Sequence, residues 1–166
     1  LVKRFSAAVH FVLGVALGLA PLGAWIAVRG DFEGDLGIPL LLFGTVWTWV
    51  AGFDLIYSCQ DAEFDANRGL HSLPAKIGIG RALVVSRMLH VATVAALLWL
   101  VQRADLGPVF LGAAILAALL LVWEQSLVKA TDLSRVNVAF FTINGWVGIA
   151  LFVGLVIDMA VAGGQL

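Results

Sequence analysis

The stretch Asp54-Leu55-Ile56-Tyr57-Ser58-Cys59-Gln60-Asp61-Ala62-Glu63-Phe64-Asp65 breaks an otherwise apolar sequence with four acids in twelve residues. On a helix turning about 100° per residue, Asp61 lies about 20° from Asp54, and Asp65 about 20° to the other side. Three carboxylates therefore share one face, with Ser58 near them and Tyr57 flanking. Asp61 and Asp65 are four residues apart, and like charges at that spacing cost a helix about 0.2–0.5 kcal/mol. Asp54 falls where an apolar run ends, close to membrane depth, where an ionised group costs about 3 kcal/mol. A hard divalent cation would repay both costs. Mg²⁺ takes oxygen ligands and is typically held by one or two carboxylates together with substrate phosphates. The plain alternative is a helix end whose acids are simply solvated.

The residues that follow suit the phosphate side of that chemistry. Asn67-Arg68-Gly69-Leu70-His71-Ser72-Leu73-Pro74-Ala75-Lys76-Ile77-Gly78-Ile79-Gly80-Arg81 is polar and punctuated by Gly and Pro, so it reads as a loop, with Gly69 ending the preceding helix. Arg68, Lys76 and Arg81 are candidate donors to a diphosphate, with Arg able to bind in bidentate fashion. Lys3 and Arg4, at the start of the chain, join them if they lie on the same membrane face. Ser58, Asn67 and His71 are candidate substrate contacts. Tyr57 either faces the reacting groups or packs as an ordinary aromatic. Further polar residues lie inside apolar runs. His10, His90, Thr142 and Asn144 suit hydrogen bonds between helices. Arg87 suits snorkelling to the inner surface, and Glu124 falls near a span end without an assigned role.

The elements that must position these groups are membrane helices. A spanning helix needs about 20 mostly apolar residues, and five segments qualify: 6–28, 36–58, 82–101, 108–124 and 138–158, the fourth extendable through Leu127-Val128. The runs are continuous rather than alternating, so they are helices and not barrel strands. Composition agrees, with 61% apolar and 13% charged residues over 166 positions, against about 25% charged in a soluble domain. The net charge of −1 gives no electrostatic case for nucleic acid. Cys59 is the single cysteine, so no disulfide forms within the chain.

Basic residues alternate loop by loop. Lys3, Arg4, Arg68, Lys76, Arg81, Lys129 and Arg135 fall on one side and Arg29 and Arg103 on the other. The positive-inside rule then puts the N-terminus, the 59–81 loop and the 125–137 loop in the cytoplasm, and the C-terminus outside. Trp99 and Trp123 fall near span ends as interface anchors, while Trp47, Trp49 and Trp146 are expected to line an interior. Leu1-Val2-Lys3-Arg4 is not read as a signal peptide, because the apolar run after it is too long and no A-x-A site closes it. The absent initiator methionine is read as a chain cut from something longer.

Asp54-x-x-Tyr57-Ser58-x-x-Asp61-x-x-x-Asp65, followed by Arg68-Gly69-x-His71-Ser72-x-Pro74, resembles the second aspartate-rich motif of the UbiA-type intramembrane prenyltransferases. Gly18-Leu19-Ala20-Pro21-Leu22-Gly23-Ala24-Trp25 looks like the span after that family's middle cytoplasmic loop. Ser134-Arg135-Val136-Asn137 with Phe140-Phe141-Thr142-Ile143-Asn144-Gly145 is similar to the last span of the 4-hydroxybenzoate polyprenyltransferase-like branch. The resemblance covers essentially the whole chain. It implies an all-α integral membrane bundle, with these five spans as the last five of nine helices, in the cytoplasmic (inner) membrane. It also implies Mg²⁺-dependent transfer of a polyprenyl group from a polyprenyl diphosphate to an aromatic acceptor such as 4-hydroxybenzoate, in quinone biosynthesis. Asp54, Asp61 and Asp65 would hold the metal and, with Tyr57, form the catalytic set. Arg68, Lys76, Lys3 and Arg4 would hold the diphosphate. The family's first motif, Asn-Asp-x-x-Asp-x-x-x-Asp, has no equivalent in residues 1–53, so this chain is expected to be inactive without an N-terminal half of the same protein. A transporter or a membrane subunit without catalytic activity is the alternative. A CDP-alcohol phosphotransferase is excluded, because that pattern needs an Asp-Gly pair and none occurs.

Overall fold

The computed structural model describes residues 6–30 and 35–163. Five helices in it are long and apolar enough to cross a membrane. They are α1 (Val9–Arg29), α2 (Gly37–Ser58), α5 (Ile79–Arg103), α6 (Pro108–Leu127) and α7 (Asn144–Gly163). Two short helices follow α2: α3 (Ala62–Asn67), which continues the acidic helix up to Gly69, and α4 (Leu73–Ile77), in the stretch expected to be a loop. Successive long helices run in opposite directions. The bundle therefore has one end holding residues 54–81 and 128–137, and another holding Asp35, Arg103 and Asp158.

The boundaries follow from composition and local chemistry. α2 does not stop at Ser58 but tightens into a 3₁₀ turn over Cys59–Asp61 and continues as α3. Gly69, at φ 64°, ends α3, and the Leu70 amide reaches back to the Asp65 carbonyl at 2.8 Å. Ser72 caps α4 by accepting the Ala75 amide at 3.4 Å, with Pro74 in the first turn. Between α6 and the last span, Lys129 and Asp132 exchange backbone hydrogen bonds at 3.0 Å, and Asp132 Oδ1 accepts the Ser134 amide at 3.0 Å. The Ser134 hydroxyl and amide hold the Asp132 carboxyl below the usual carboxylate range. The turn's small contribution is thus present above the ordinary carboxylate pKa and lost as pH falls through the lowered one.

The core lies between α2, α5, α6 and the start of the last span. One cluster gathers Ile56, Cys59, Ala82, Leu83, Val128, Val136 and Ala139, and a second gathers Leu97, Ala114, Ala117, Leu121, Ile143 and Val147. The last span packs on α6 through Ile143, just before α7, and through Val147 and Leu151 of α7, which leaves Trp146 on the opposite side. Trp146 is therefore exposed on the outside of these five helices rather than lining the interior. Trp47 and Trp49 do turn inward. The Trp47 indole donates to the Phe11 carbonyl at 3.1 Å, and that of Trp49 donates to Asn144 Oδ1 at 2.7 Å.

At the other end, Asp158 of α7 accepts the Gly107, Val109 and Phe110 amides at 2.7, 3.1 and 3.1 Å, so it caps the N-terminus of α6 from a different helix. Asp158→Ala is expected to destabilise the bundle by about 1–3 kcal/mol, read as an earlier midpoint in detergent unfolding.

Candidate functional site

The end of α2 presents the acidic segment, and each acid has different surroundings. Asp54 is half-buried, and His10 Nδ1 of α1 meets its Oδ2 at 2.5 Å. Asp61 is exposed in the 3₁₀ turn, where each residue turns about 120° rather than 100° and advances the face. Asp65, one turn on, is buried at 1% exposure. Ser58 is buried and donates its hydroxyl to the Leu55 carbonyl at 2.9 Å. Among the described residues no three His, Cys, Asp or Glu side chains gather to form a metal cage. Mg²⁺ takes much of its shell from water and phosphate, and the donors here are hard carboxylate oxygens on neighbouring turns, so the donor chemistry fits that ion.

The basic groups divide between two hollows. His71 and Lys76 line a cavity of about 490 Å³ together with Ser6, Ala7, Phe11 and Leu73, at the foot of α1. Neither His10 nor Asp54 lines this cavity. Arg68 lines a different cavity of about 390 Å³ with Phe64, Gly69 and Leu70, its guanidinium 5.3 Å from the Phe64 ring centroid. Asn67 and Arg81 are exposed. Lys3 and Arg4 lie outside the described residues.

Tyr57 closes the apolar side. Its ring centroid lies 4.4 Å from that of Phe140 and 6.3 Å from that of Phe141, and Phe140 lies 5.3 Å from Phe53. These four rings form an aromatic wall beneath the acidic segment. Tyr57 was a candidate from sequence, whereas Phe140 and Phe141, which face it, figured there only in the family resemblance and had no role at the site. Their approach depends on a π-turn over Val138–Ile143, which hydropathy does not register.

Behind the wall runs a buried polar network. Asn144 Nδ2 donates to Glu124 Oε1 at 2.7 Å, Glu124 Oε2 lies 3.5 Å from His90 Nδ1, and the Gln125 amide meets His90 Nδ1 at 3.0 Å and Ser86 Oγ at 2.8 Å. Ser86 in turn donates to the Gly52 carbonyl at 2.8 Å. The hydrogen bonds between helices expected of His10, His90 and Asn144 are thus present. Glu124 differs from its expected place at the interface, because its side chain turns wholly inward to Asn144 and is 0% exposed. The sign that could have found it is a carboxylate within reach of an apolar run, which is costly unless partnered.

Comparison with known proteins agrees with this architecture. The sequence is similar to a 4-hydroxybenzoate octaprenyltransferase of Aromatoleum aromaticum, 34% identical over 158 residues, which cover 94% of this chain and 51% of that one. It is also similar to the mitochondrial 4-hydroxybenzoate polyprenyltransferase of Arabidopsis thaliana, 31% identical over 160 residues, covering 95% of this chain and 38% of that one. Among solved structures, the apo form of a UbiA homolog from Aeropyrum pernix K1 superposes with a TM-score of 0.82 at 36% identity, over 95% of this chain and 57% of that one. The chain spans about half the length of most of the curated relatives it matches. The sequence pattern that defines UbiA prenyltransferases runs through residues 1–155, and with a solved relative matching the same helices, the chain belongs to the UbiA prenyltransferase family.

Proposed function

We propose that this chain supplies the second aspartate motif of an aromatic polyprenyltransferase, as the last five helices of a nine-helix bundle. The observation that carries the reading is the juxtaposition at one bundle end. Carboxylates at 54–65, a basic cavity at His71 and Lys76, and the aromatic wall at Tyr57 all lie at the same end of the apolar spans. The names of the relatives, 4-hydroxybenzoate octaprenyltransferase and polyprenyltransferase, point to the same chemistry. The positive-inside distribution supports a cytoplasmic position for this end.

Asp61 and Asp65, with Asp54, are the groups to hold Mg²⁺. When bound, the ion neutralises diphosphate charge and so improves the leaving group. His10 orients Asp54 and keeps its carboxylate at the α1–α2 boundary. Lys76 and Arg68 donate to phosphate oxygens, with Lys3 and Arg4 assigned the same role. His71, Asn67 and Ser58 remain candidate substrate contacts, with Ser58 oriented through its bond to Leu55. In the reaction, the bond from the allylic carbon to the diphosphate oxygen breaks and its electron pair leaves with diphosphate. A ring carbon of the acceptor forms the new carbon–carbon bond, and its ring proton passes to water. The spans hold the isoprenoid chain and keep bulk water from the allylic carbon, and positioning supplies much of the acceleration.

The acceptor is tested with the parent-length chain in membranes, a labelled polyprenyl diphosphate and a panel of aromatic acceptors. Prenylated 4-hydroxybenzoate is the expected main product. Turnover confined to dihydroxynaphthoate or homogentisate would move the assignment to another acceptor. A folded chain inert across the panel would favour a transporter or a subunit without catalysis.

A further inference from the structure

The π-turn at Val138–Ile143 widens the last span just where it passes the acidic segment. Wide turns of this kind take backbone carbonyls off the α-helical register, and in hydrocarbon an unmet carbonyl costs several kcal/mol. One side chain lies against the carbonyls of this turn and ties them to the neighbouring helices. Asn144 Nδ2 donates to the Ala139 and Phe140 carbonyls, both at 3.1 Å, as well as to Glu124 Oε1 at 2.7 Å. Its own Oδ1 accepts from the Trp49 indole at 2.7 Å. Asn144 is thus held from α2 on one side and from α6 on the other. Glu124 is buried to 0% exposure, and its single close hydrogen bond among the described residues goes to this amide.

So costly an arrangement fixes one thing at the site, the place of Phe140. The Phe140 ring sits 4.4 Å from Tyr57 and 4.7 Å from Phe141. Tyr57 lies between Asp54 and Asp61 in the acidic segment. A cation is attracted to aromatic faces, by about 2 kcal/mol where water is scarce, and a phenyl ring, unlike water, has no lone pair to capture it. We propose that Asn144 and Glu124 are positioning residues that hold Phe140 against Tyr57, so that this pair of rings receives the cationic allylic end of the isoprenoid as its bond to the diphosphate breaks. The proposal rests on the transferase reading and gives two residues of the bundle interior a part in its rate.

The test uses the parent-length chain in lipid nanodiscs, with labelled polyprenyl diphosphate and 4-hydroxybenzoate, and follows prenylated product and free diphosphate separately. Phe140→Leu is expected to lower kcat about tenfold while KM for the diphosphate stays within about twofold of wild type. Glu124→Ala behaves likewise, and Glu124→Gln, whose amide oxygen still accepts from Asn144, recovers most of the loss. In a chain whose sole tryptophan is Trp49, Asn144→Leu shifts the emission maximum, which reports the brace apart from turnover. Wild-type kcat in Phe140→Leu, or a loss in Glu124→Ala that only tracks the fraction of folded protein, overturns the proposal. If the wild-type chain releases no diphosphate with any acceptor while the Trp49 emission still responds, the transferase reading itself fails, and the assigned role falls with it.

Discussion

Asp61→Asn in the parent-length chain lowers prenyl turnover by about a hundredfold or more. Each loss of about 1.4 kcal/mol in transition-state stabilisation is tenfold in rate, and a metal's charge stabilisation is worth several kcal/mol. Asp61 is the informative position because it is exposed. An unfolding midpoint measured beside the rate separates lost chemistry from lost fold. Asp65 differs. It is buried at 1% exposure, so Asp65→Asn is expected to disturb both the α3 turn and turnover. Asp54→Asn leaves His10 with an altered partner across the α1–α2 boundary. Titrating Mg²⁺ against Asp61→Asn separates weak metal binding, where excess metal restores part of the rate, from a lost interaction that no metal concentration restores.

Gly14→Leu is expected to detach α1 from the bundle, at a cost of about 2–4 kcal/mol. α1 is the least embedded of the five long helices, with only 11% of its apolar window buried, so a narrow strip must hold it. That strip is Gly14 and Gly18, one helical turn apart on one face. A side chain at Gly14 would begin 2.6 Å from the Trp47 carbonyl and 2.7 Å from its indole Cδ1, and one at Gly18 would begin 2.9 Å from the Phe43 carbonyl. The backbones of α1 and α2 approach closely there, and the small-xxx-small spacing is what permits it. Displacing α1 also breaks the Trp47 bond to Phe11 and pulls His10 from Asp54. Turnover should therefore fall along with stability. Leu17→Ala, on the exposed face of the same helix, serves as the comparison and should leave the unfolding midpoint close to wild type.

Those two positions show what the sequence revealed and what it did not. The five spans were legible because a backbone in lipid must close its own hydrogen bonds, so an apolar run of sufficient length is a helix. Span three begins at Ile79 rather than 82, and the fourth reaches Leu127 as its extension suggested. The acidic face and the basic loop were visible as residue types. The helix running on through Asp65 and ending at Gly69 was expected from the acidic face; the short helix over Leu73–Ile77 was not, because its start rests on a Ser72 cap that ranks below hydropathy as a signal. The packing of the site was harder still. His10 and Asp54 are separated by 44 residues, and Trp49 and Asn144 by 95. No local pattern couples such pairs. The Gly14–Gly18 pair has the small-xxx-small spacing of packed membrane helices, a sign that hydropathy passes over. Glu124 carried a signal too, and only its depth was misjudged, because the end of a span and its buried face are adjacent in sequence.

The most direct measurement is prenyl transfer to 4-hydroxybenzoate by this chain alone and co-expressed with a family N-terminal half bearing the first aspartate motif, each with Mg²⁺ and with EDTA. The expected result is activity only with both halves, abolished by EDTA and by Asp61→Asn. Activity of the assembled halves that survives EDTA and Asp61→Asn would contradict a metal-dependent site at residues 54–65.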